Sequence, residues 1–159
     1  MDSSTSPAHN GIILDTNVLS LFARSDRLDL LQSVFASARS QIRFFITPTI
    51  YAEIVTGYER GVFYLAGPLR LVESGQIRVL DLSQADRLFI SSLPARLAMG
   101  EAEAIALCHR LLCVFVTHDR KAINYCERVG IPAIRLGSLL DRLHKAGLLT
   151  RDEIDKMLE

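Results

Sequence analysis

Short apolar runs alternate along the chain with longer segments in which apolar residues recur every three or four positions. The short runs have the length of strands, and the run at 112–116 is apolar throughout, as in a strand covered on both faces. The predicted strands are 11–14, 44–46, 77–82, 112–116 and 131–136.

The longer segments carry helical patterns. Segment 101–112 has an apolar stripe with i, i+3, i+6 and i+7 spacing, which predicts one buried helix face. Thr47 followed by Pro48 is typical of an N-cap with proline at the first helical position. The predicted helices are 28–39, 48–58, 101–112, 119–129, 137–146 and 150–158.

The alternation of strands and helices predicts an α/β fold. We expect a three-layer α/β/α sandwich around a mostly parallel sheet of about five strands. No repeat or linker divides the chain, so residues 11–159 are predicted to form a single domain. Residues 1–10 are small and polar and lack the apolar stretch of a signal peptide, and we expect a flexible segment there.

Composition narrows the possible functions. The 18 Lys and Arg residues balance 18 Asp and Glu residues, which argues against bulk electrostatic coating of nucleic acid but permits a local basic rim. No apolar run approaches the roughly 18 residues of a membrane span, so a cytoplasmic protein without membrane association is expected. The three cysteines, Cys108, Cys113 and Cys126, show no CxxC or zinc spacing and are predicted to be buried free thiols.

Two aspartates follow predicted strands. Asp15 comes directly after the first strand, and Asp119 lies shortly after the fourth. The carboxyl ends of parallel strands lie at one edge of a sheet, and ligands bind in the crevice where the strand order reverses. We therefore expect these two carboxylates to converge.

A third acid, Glu53, lies within the helix that follows the second strand. Its neighbours Ile50 and Ile54 place it at the margin of the apolar face, where a carboxylate is costly unless it is paired. A bound cation would pair with it, and so would Arg60 or Arg70.

A fourth acid comes from the helix start after Gly100, where Glu101 and Glu103 are both candidates. Acids in a first helical turn are also stabilised by the helix dipole, by roughly 0.3–1 kcal/mol. The spacing alone leaves the choice between the two open.

Convergent carboxylates repel one another, and they stay ionised together mainly when a divalent cation neutralises them. Oxygen-only ligands favour Mg²⁺ or Mn²⁺ over zinc. The chemistry that such a site suits is metal-assisted hydrolysis of phosphodiesters.

Five further residues are candidates for supporting the site. Asn17 is placed to hold a water or to orient the neighbouring aspartate, and Thr47 and Thr117 are placed to hydrogen-bond an acid. Thr47 is equally well explained as a plain N-cap. Arg120 and Lys121 are candidates for binding phosphates, although a charged helix start is the simpler interpretation.

Four segments in order resemble the signature regions of PIN domains: IILDTNVL, TPTIYAEIV, GEAEAIALC and FVTHD. GEAEAIAL and the downstream VGIPAIRLGSLLDRLHKAGLL resemble a prokaryotic subgroup close to VapC-like toxins. The resemblance covers roughly residues 11–146. It implies an α/β/α sandwich, a Mg²⁺- or Mn²⁺-dependent ribonuclease with RNA as substrate, a protein antitoxin as partner, and a homodimer.

The resemblance also assigns the acids. Asp15, Glu53, Glu101 and Asp119 match the first to fourth acids of the motifs, and Asp15, Glu101 and Asp119 are implied to be the metal ligands. Glu101 is chosen because related sequences place this acid five residues before an Ala-Leu pair. Glu103 is the alternative.

Two features depart from the family pattern. His118 stands where the closest subgroup often has a second aspartate, and RKAIN follows in place of an Asp-Phe ending. The number of metal ions therefore stays open.

Two other classes of function compete. A phosphoaspartyl enzyme would use Asp15, but such enzymes usually carry an aspartate two residues later, and this chain has Asn17. The other class is a catalytically silent PIN-like module that binds RNA or protein, since a fold alone does not give a function.

Overall fold

The structure is a computed structural model that describes residues 11–35 and 42–159. The predicted flexible segment 1–10 and the end of the predicted helix 28–39 lie outside the described residues.

Five parallel strands form one sheet, which confirms the predicted architecture. The third strand ends at Val79, earlier than predicted. The fourth begins at Val114, later than predicted, because Leu112 takes a left-handed conformation (φ 60°) that ends the preceding helix. The strands are β1 (Gly11–Leu14), β2 (Arg43–Ile46), β3 (Ile77–Val79), β4 (Val114–Thr117) and β5 (Ala133–Arg135).

Helices connect the strands, and a short 3₁₀ helix spans Phe63–Leu65. The α-helices are α1 (Thr16–Arg24), α2 (Asp29–Phe35), α3 (Pro48–Glu59), α4 (Ala66–Glu73), α5 (Gln84–Ser91), α6 (Met99–Leu111), α7 (Arg120–Val129), α8 (Leu136–Lys145) and α9 (Arg151–Met157). The sequence did not predict α1, α4 or α5. Asp15 is the N-cap of α1, which begins at the next residue.

The sheet is buried on both faces because successive strand residues point to opposite sides. Ile12 and Leu14 of β1 join one apolar cluster, with residues of α1, α2, α3, α8 and α9. Ile13 joins the other, with residues of α6 and α7 and, at its margin, Phe89 of α5. These two clusters explain the uninterrupted apolar runs and confirm the three-layer sandwich.

The strand order is β3-β2-β1-β4-β5. The strands after β1 are added first on one side of it and then on the other, so the strand order reverses between β1 and β4. That position is where open α/β sheets bind ligands. Asp15 follows β1 and donates its backbone N–H to the carbonyl of Val116 in β4, at 3.0 Å. Asp119 follows β4, so the fold brings both aspartates to the expected crevice.

None of the helices in the described ranges is long and apolar enough to cross a membrane. All three cysteines are buried and free, as predicted.

Candidate active site

Asp15 is held by two hydrogen bonds at the start of α1. Its side chain is buried, its Oδ1 accepts from the backbone N–H of Thr16 at 2.8 Å, and its Oδ2 accepts from the hydroxyl of Thr117 at 2.7 Å. Burial raises the pKa of Asp15, and the negative charges of Glu53 and Asp119 raise it further against the effect of the hydrogen bonds. Three acidic side chains therefore influence one another here.

Thr117 lies between the two aspartates. It is fully buried at the end of β4, and its hydroxyl oxygen also accepts the backbone N–H of Asp119 at 3.1 Å. Asp119 in turn is the N-cap of α7, and its Oδ1 accepts from the backbone N–H of Lys121 at 2.9 Å. A buried hydroxyl thus fixes the geometry at the ends of β1 and β4.

Glu101 joins this pair from the first turn of α6. Its side chain is buried, and its Oε1 accepts from the backbone N–H of Ala98 at 3.1 Å. Burial, the hydrogen bond to Asp119 and the charges of Asp119 and Asp15 together raise the pKa of Glu101 to about 7, and burial is the largest of these causes. The hydrogen bond from Glu101 lowers the pKa of Asp119. The carboxyl groups of Glu101 and Asp119 therefore lie within hydrogen-bond distance of each other.

Glu103 faces a different element. It is buried, and its two oxygens accept from Thr49 in the first turn of α3, from the backbone N–H at 2.9 Å and from the hydroxyl at 2.6 Å. The structure therefore separates the two candidates of the helix start. Glu101 lies beside the aspartates, and Glu103 lies against α3.

Glu53 is exposed, so its expected place at the apolar margin is wrong. Ile50 and Ile54 form the buried stripe of α3, and Glu53 is turned by about 100° from Ile54 on the helix. Its carboxylate accepts a hydrogen bond from the hydroxyl of Thr16. In the part of the chain that the structure describes, neither arginine considered as its partner forms an ion pair with it.

The other expected residues occupy varied positions. Asn17 is exposed in the first turn of α1, while its neighbour Thr16 makes the contacts to the acids. Thr47 is fully buried and acts as the predicted N-cap, accepting from the backbone N–H of Ile50 at 3.2 Å. Arg120 and Lys121 are exposed at the start of α7, next to Asp119.

Two contacts of the candidate acids come from residues that the sequence did not single out. Thr16 would have been suspected if α1 had been predicted, since it then stands in the first helical turn beside Asp15. Thr49 had no usable signal, because its partner Glu103 lies 54 positions away.

Within residues 11–35 and 42–159, no three His, Cys, Asp or Glu side chains are arranged to bind one metal ion as they stand. The oxygen set nevertheless fits Mg²⁺ or Mn²⁺. Each carboxylate has about four lone-pair sites, so Asp15, Glu101 and Asp119 retain acceptor capacity beside their hydrogen bonds. Mg²⁺ commonly takes one or two carboxylates together with waters and phosphate oxygens.

A family model described as a PIN domain matches residues 11–159. The chain belongs to the PIN-domain family. The match covers the whole described sheet and all four acids, which confirms the family that the sequence motifs resemble.

Solved structures share the PIN fold. A VapBC2 structure from Rickettsia felis, bound to a DNA fragment from its promoter, has a TM-score of 0.60 at 12% identity and covers 79% of this chain and 98% of that chain. VapBC-1 from nontypeable Haemophilus influenzae has a TM-score of 0.57 at 16% identity, and the match covers 79% of this chain and 97% of that chain. The PIN domain endonuclease Utp24 has a TM-score of 0.53 at 14% identity, and the match covers 79% of this chain and 84% of that chain. No curated protein matches the sequence.

Proposed function

We propose that residues 11–159 form a single PIN-domain endoribonuclease that uses Mg²⁺ or Mn²⁺, with Asp15, Glu101 and Asp119 as the residues that hold the ion. The observation that carries the proposal is the convergence of Asp15, Glu101 and Asp119 at the carboxyl ends of β1 and β4, where the buried hydroxyl of Thr117 bonds both aspartates. Like charges gathered at the switch point of a sheet are costly without a cation. Membership of the PIN-domain family supports a nuclease.

The proposal gives each side chain a task. A bound Mg²⁺ or Mn²⁺ would polarise the phosphodiester and lower the pKa of a water. Thr117 orients Asp15 through its hydroxyl. Glu53 is exposed and accepts a hydrogen bond from Thr16, and we propose that its remaining acceptor sites orient the attacking water and accept its proton. Arg120 and Lys121 at the rim are proposed to bind the flanking phosphates.

The surface around Glu53 suits a polymer. Glu53 lines a shallow, open depression together with Thr49, Ala52, Thr56, Gly57 and Arg60. An open surface admits the middle of a strand as readily as its end, and on that ground we propose cleavage within an RNA chain, although Glu53 is the one proposed catalytic acid that lines the depression. A more enclosed cavity has apolar walls, including Leu28, Phe44 and Leu71, and holds a single carboxylate, Asp29.

The biological role that we propose is that of a cytoplasmic toxin held by a protein antitoxin and acting as a homodimer. The likeness to VapC-like sequences and the fold shared with the VapBC structures support this role. Expression of the wild type should arrest growth, while expression of Asp15→Asn should not. A wild type that is expressed to the same level without effect on growth would contradict the toxin role and leave the nuclease activity as a separate question.

The direct test compares RNA cleavage by the wild type, Asp15→Asn and Asp119→Asn with Mg²⁺, with Mn²⁺ and with a chelator. We expect cleavage by the wild type with either ion and none by the variants. A well-folded wild type that cleaves no RNA and no single-stranded DNA would overturn the proposal.

A catalytically silent PIN-like binding module is the competing candidate. Asp15, Glu101 and Asp119 each accept a backbone N–H at the start of a helix, so all three have a role in the fold that needs no cation. A Mn²⁺ titration that shows no binding would favour the silent module over the nuclease.

A further inference from the structure

Glu103 and Thr49 join α6 to the first turn of α3 through a contact that the proposed chemistry does not use. Glu103 is 5% exposed, and both of its oxygens accept from the same residue. A buried carboxylate needs such donors, since it would otherwise lose its hydration without compensation. The contact is therefore specific.

The donors belong to a helix start. The first backbone N–H groups of a helix have no partner within the helix, and they attract negative charge. In α3 the hydroxyl oxygen of Thr47 accepts a hydrogen bond from the backbone N–H of Ile50, and a carboxylate oxygen of Glu103 accepts one from the backbone N–H of Thr49. Glu103 thus completes, from another element, the capping that Thr47 begins.

Gly100 shows how closely the two helices approach. A Cβ at Gly100 would lie 3.1 Å from Cγ1 of Ile50 and 3.9 Å from Oε1 of Glu53. Glu103 stands three residues later, on the same side of α6. That side of α6 therefore faces the start of α3 and lies near the carboxylate of Glu53. Glu101 is turned by about 100° from Gly100 and reaches Asp119.

From these contacts we propose that Glu103 is a positioning residue, which anchors the start of α3 and so holds Glu53 opposite Asp15, and that Glu103 is not a metal ligand. The inference rests on the proposed function in one respect, the role of Glu53 in hydrolysis. The anchoring itself is a physical property that is measured without any cleavage.

The first test compares Glu103→Gln with Glu101→Gln in Mn²⁺ binding, measured by calorimetry. The glutamine amide at position 103 accepts from the N–H of Thr49 and donates to its hydroxyl oxygen, so the anchor is retained without the charge. We expect the Mn²⁺ affinity to stay within about twofold for Glu103→Gln and to fall by at least about tenfold for Glu101→Gln. Equal losses in the two variants would overturn the proposal.

The second test asks whether Glu103 acts through Glu53. Glu103→Met keeps the bulk but removes both acceptors, and we expect kcat to fall by about 10–100-fold with unchanged Mn²⁺ affinity, and Glu103→Gln to restore most of it. Adding Glu103→Met to Glu53→Gln should cause little further loss, because both changes remove the same contribution. Losses that multiply in the double variant would overturn the proposal.

If Glu103→Met folds poorly, two variants at Thr49 test the same contact. Thr49→Val removes the hydroxyl and Thr49→Ser keeps it, so only the former should lower kcat. If the wild type cleaves no RNA, the proposed function fails but the anchor is still measurable by hydrogen exchange. The Thr49 amide should exchange about tenfold faster in Glu103→Met than in the wild type or Glu103→Gln. Equal exchange in all three proteins would overturn the anchor.

Discussion

The hydroxyl of Thr117 donates to Oδ2 of Asp15 over 2.7 Å, across 102 positions of the sequence. The same oxygen accepts the backbone N–H of Asp119. One fully buried side chain therefore sets the relative positions of the aspartates that follow β1 and β4. Its removal should disturb the site without touching any acid.

Thr117→Val retains the shape of the side chain and removes both hydrogen bonds. We expect the cleavage rate to fall by about 10–100-fold, as for other groups that orient metal ligands. Thr117→Ser is the matched control and should keep most of the rate, since its hydroxyl can make both bonds. A Val variant as active as the wild type would show that the hydroxyl does not position Asp15.

Glu101→Gln should make the metal-free protein more stable while weakening its stabilisation by Mn²⁺. The amide still accepts from the N–H of Ala98 and can donate to Asp119, and one carboxyl leaves a crowded cluster. We expect a gain of about 0.5–2 kcal/mol in the free energy of unfolding, measured by urea denaturation at neutral pH.

Glu59→Gln is the control for this comparison, because Glu59 is an exposed acid at the end of α3. It should change neither stability nor the response to Mn²⁺. A Glu101→Gln protein that Mn²⁺ stabilises as much as the wild type would remove Glu101 from the ligand set.

Asp86 and Arg110 form an ion pair between α5 and α6, with Nε and one terminal nitrogen of Arg110 each 2.9 Å from a carboxylate oxygen. Burial alone would raise the pKa of Asp86, but hydrogen bonds from Arg110 and from Ser83 together lower it below its ordinary 3.8. Ionised Asp86 therefore stabilises the fold at pH values above 3.8, and this contribution is lost as the pH falls through the lowered value.

Arg110→Met should cost about 1.5–3 kcal/mol at pH 7, because Asp86, 2% exposed, loses its charged donor. The partial exposure of Arg110, 38%, argues for the lower part of that range. At about pH 3 we expect the difference from the wild type to shrink, since Asp86 becomes protonated in the variant. Urea denaturation at both pH values checks this, with Arg87→Met on α5 as control. A difference that is constant with pH would contradict the assignment.

Arg120→Gln and Lys121→Gln test whether these two side chains contact phosphates of the RNA. If each side chain contacts one phosphate, KM should rise while kcat stays unchanged, and the slope of log binding constant against log salt should fall by about 1 per residue. Arg151→Gln, an exposed charge at the start of α9, should leave the slope unchanged. Equal slopes in all three variants would exclude direct phosphate contacts by Arg120 and Lys121.

The sequence located Asp15 and Asp119 because each follows a strand, and a parallel sheet gathers the ends of its strands. The spacing of residues could not choose between Glu101 and Glu103, and only the resemblance to related sequences favoured Glu101. Two positions along a helix differ in direction by about 200°, and both of these side chains are buried, so the apolar pattern does not distinguish them. The choice depends on which helix packs on which side, which only the assembled fold shows.

Other parts were missed for different reasons. The start of α1 was missed because Asp-Thr-Asn suits a turn as well as a helix start, although Val18, Leu19 and Phe22 have helical spacing. The capping box of α5, Ser83 with Asp86, has a recognisable spacing. The pairing of Asp86 with Arg110 across 24 positions has none.

Three of the four acids also serve the fold. Asp15 and Asp119 each begin a helix, and Glu101 accepts a backbone N–H at the start of α6. A PIN-domain chain that no longer hydrolyses RNA would keep these three for the sake of its helices. Glu53 is exposed, caps nothing and is held by a single hydroxyl. The residue at this position is therefore the more informative sign of whether a related chain still performs the reaction.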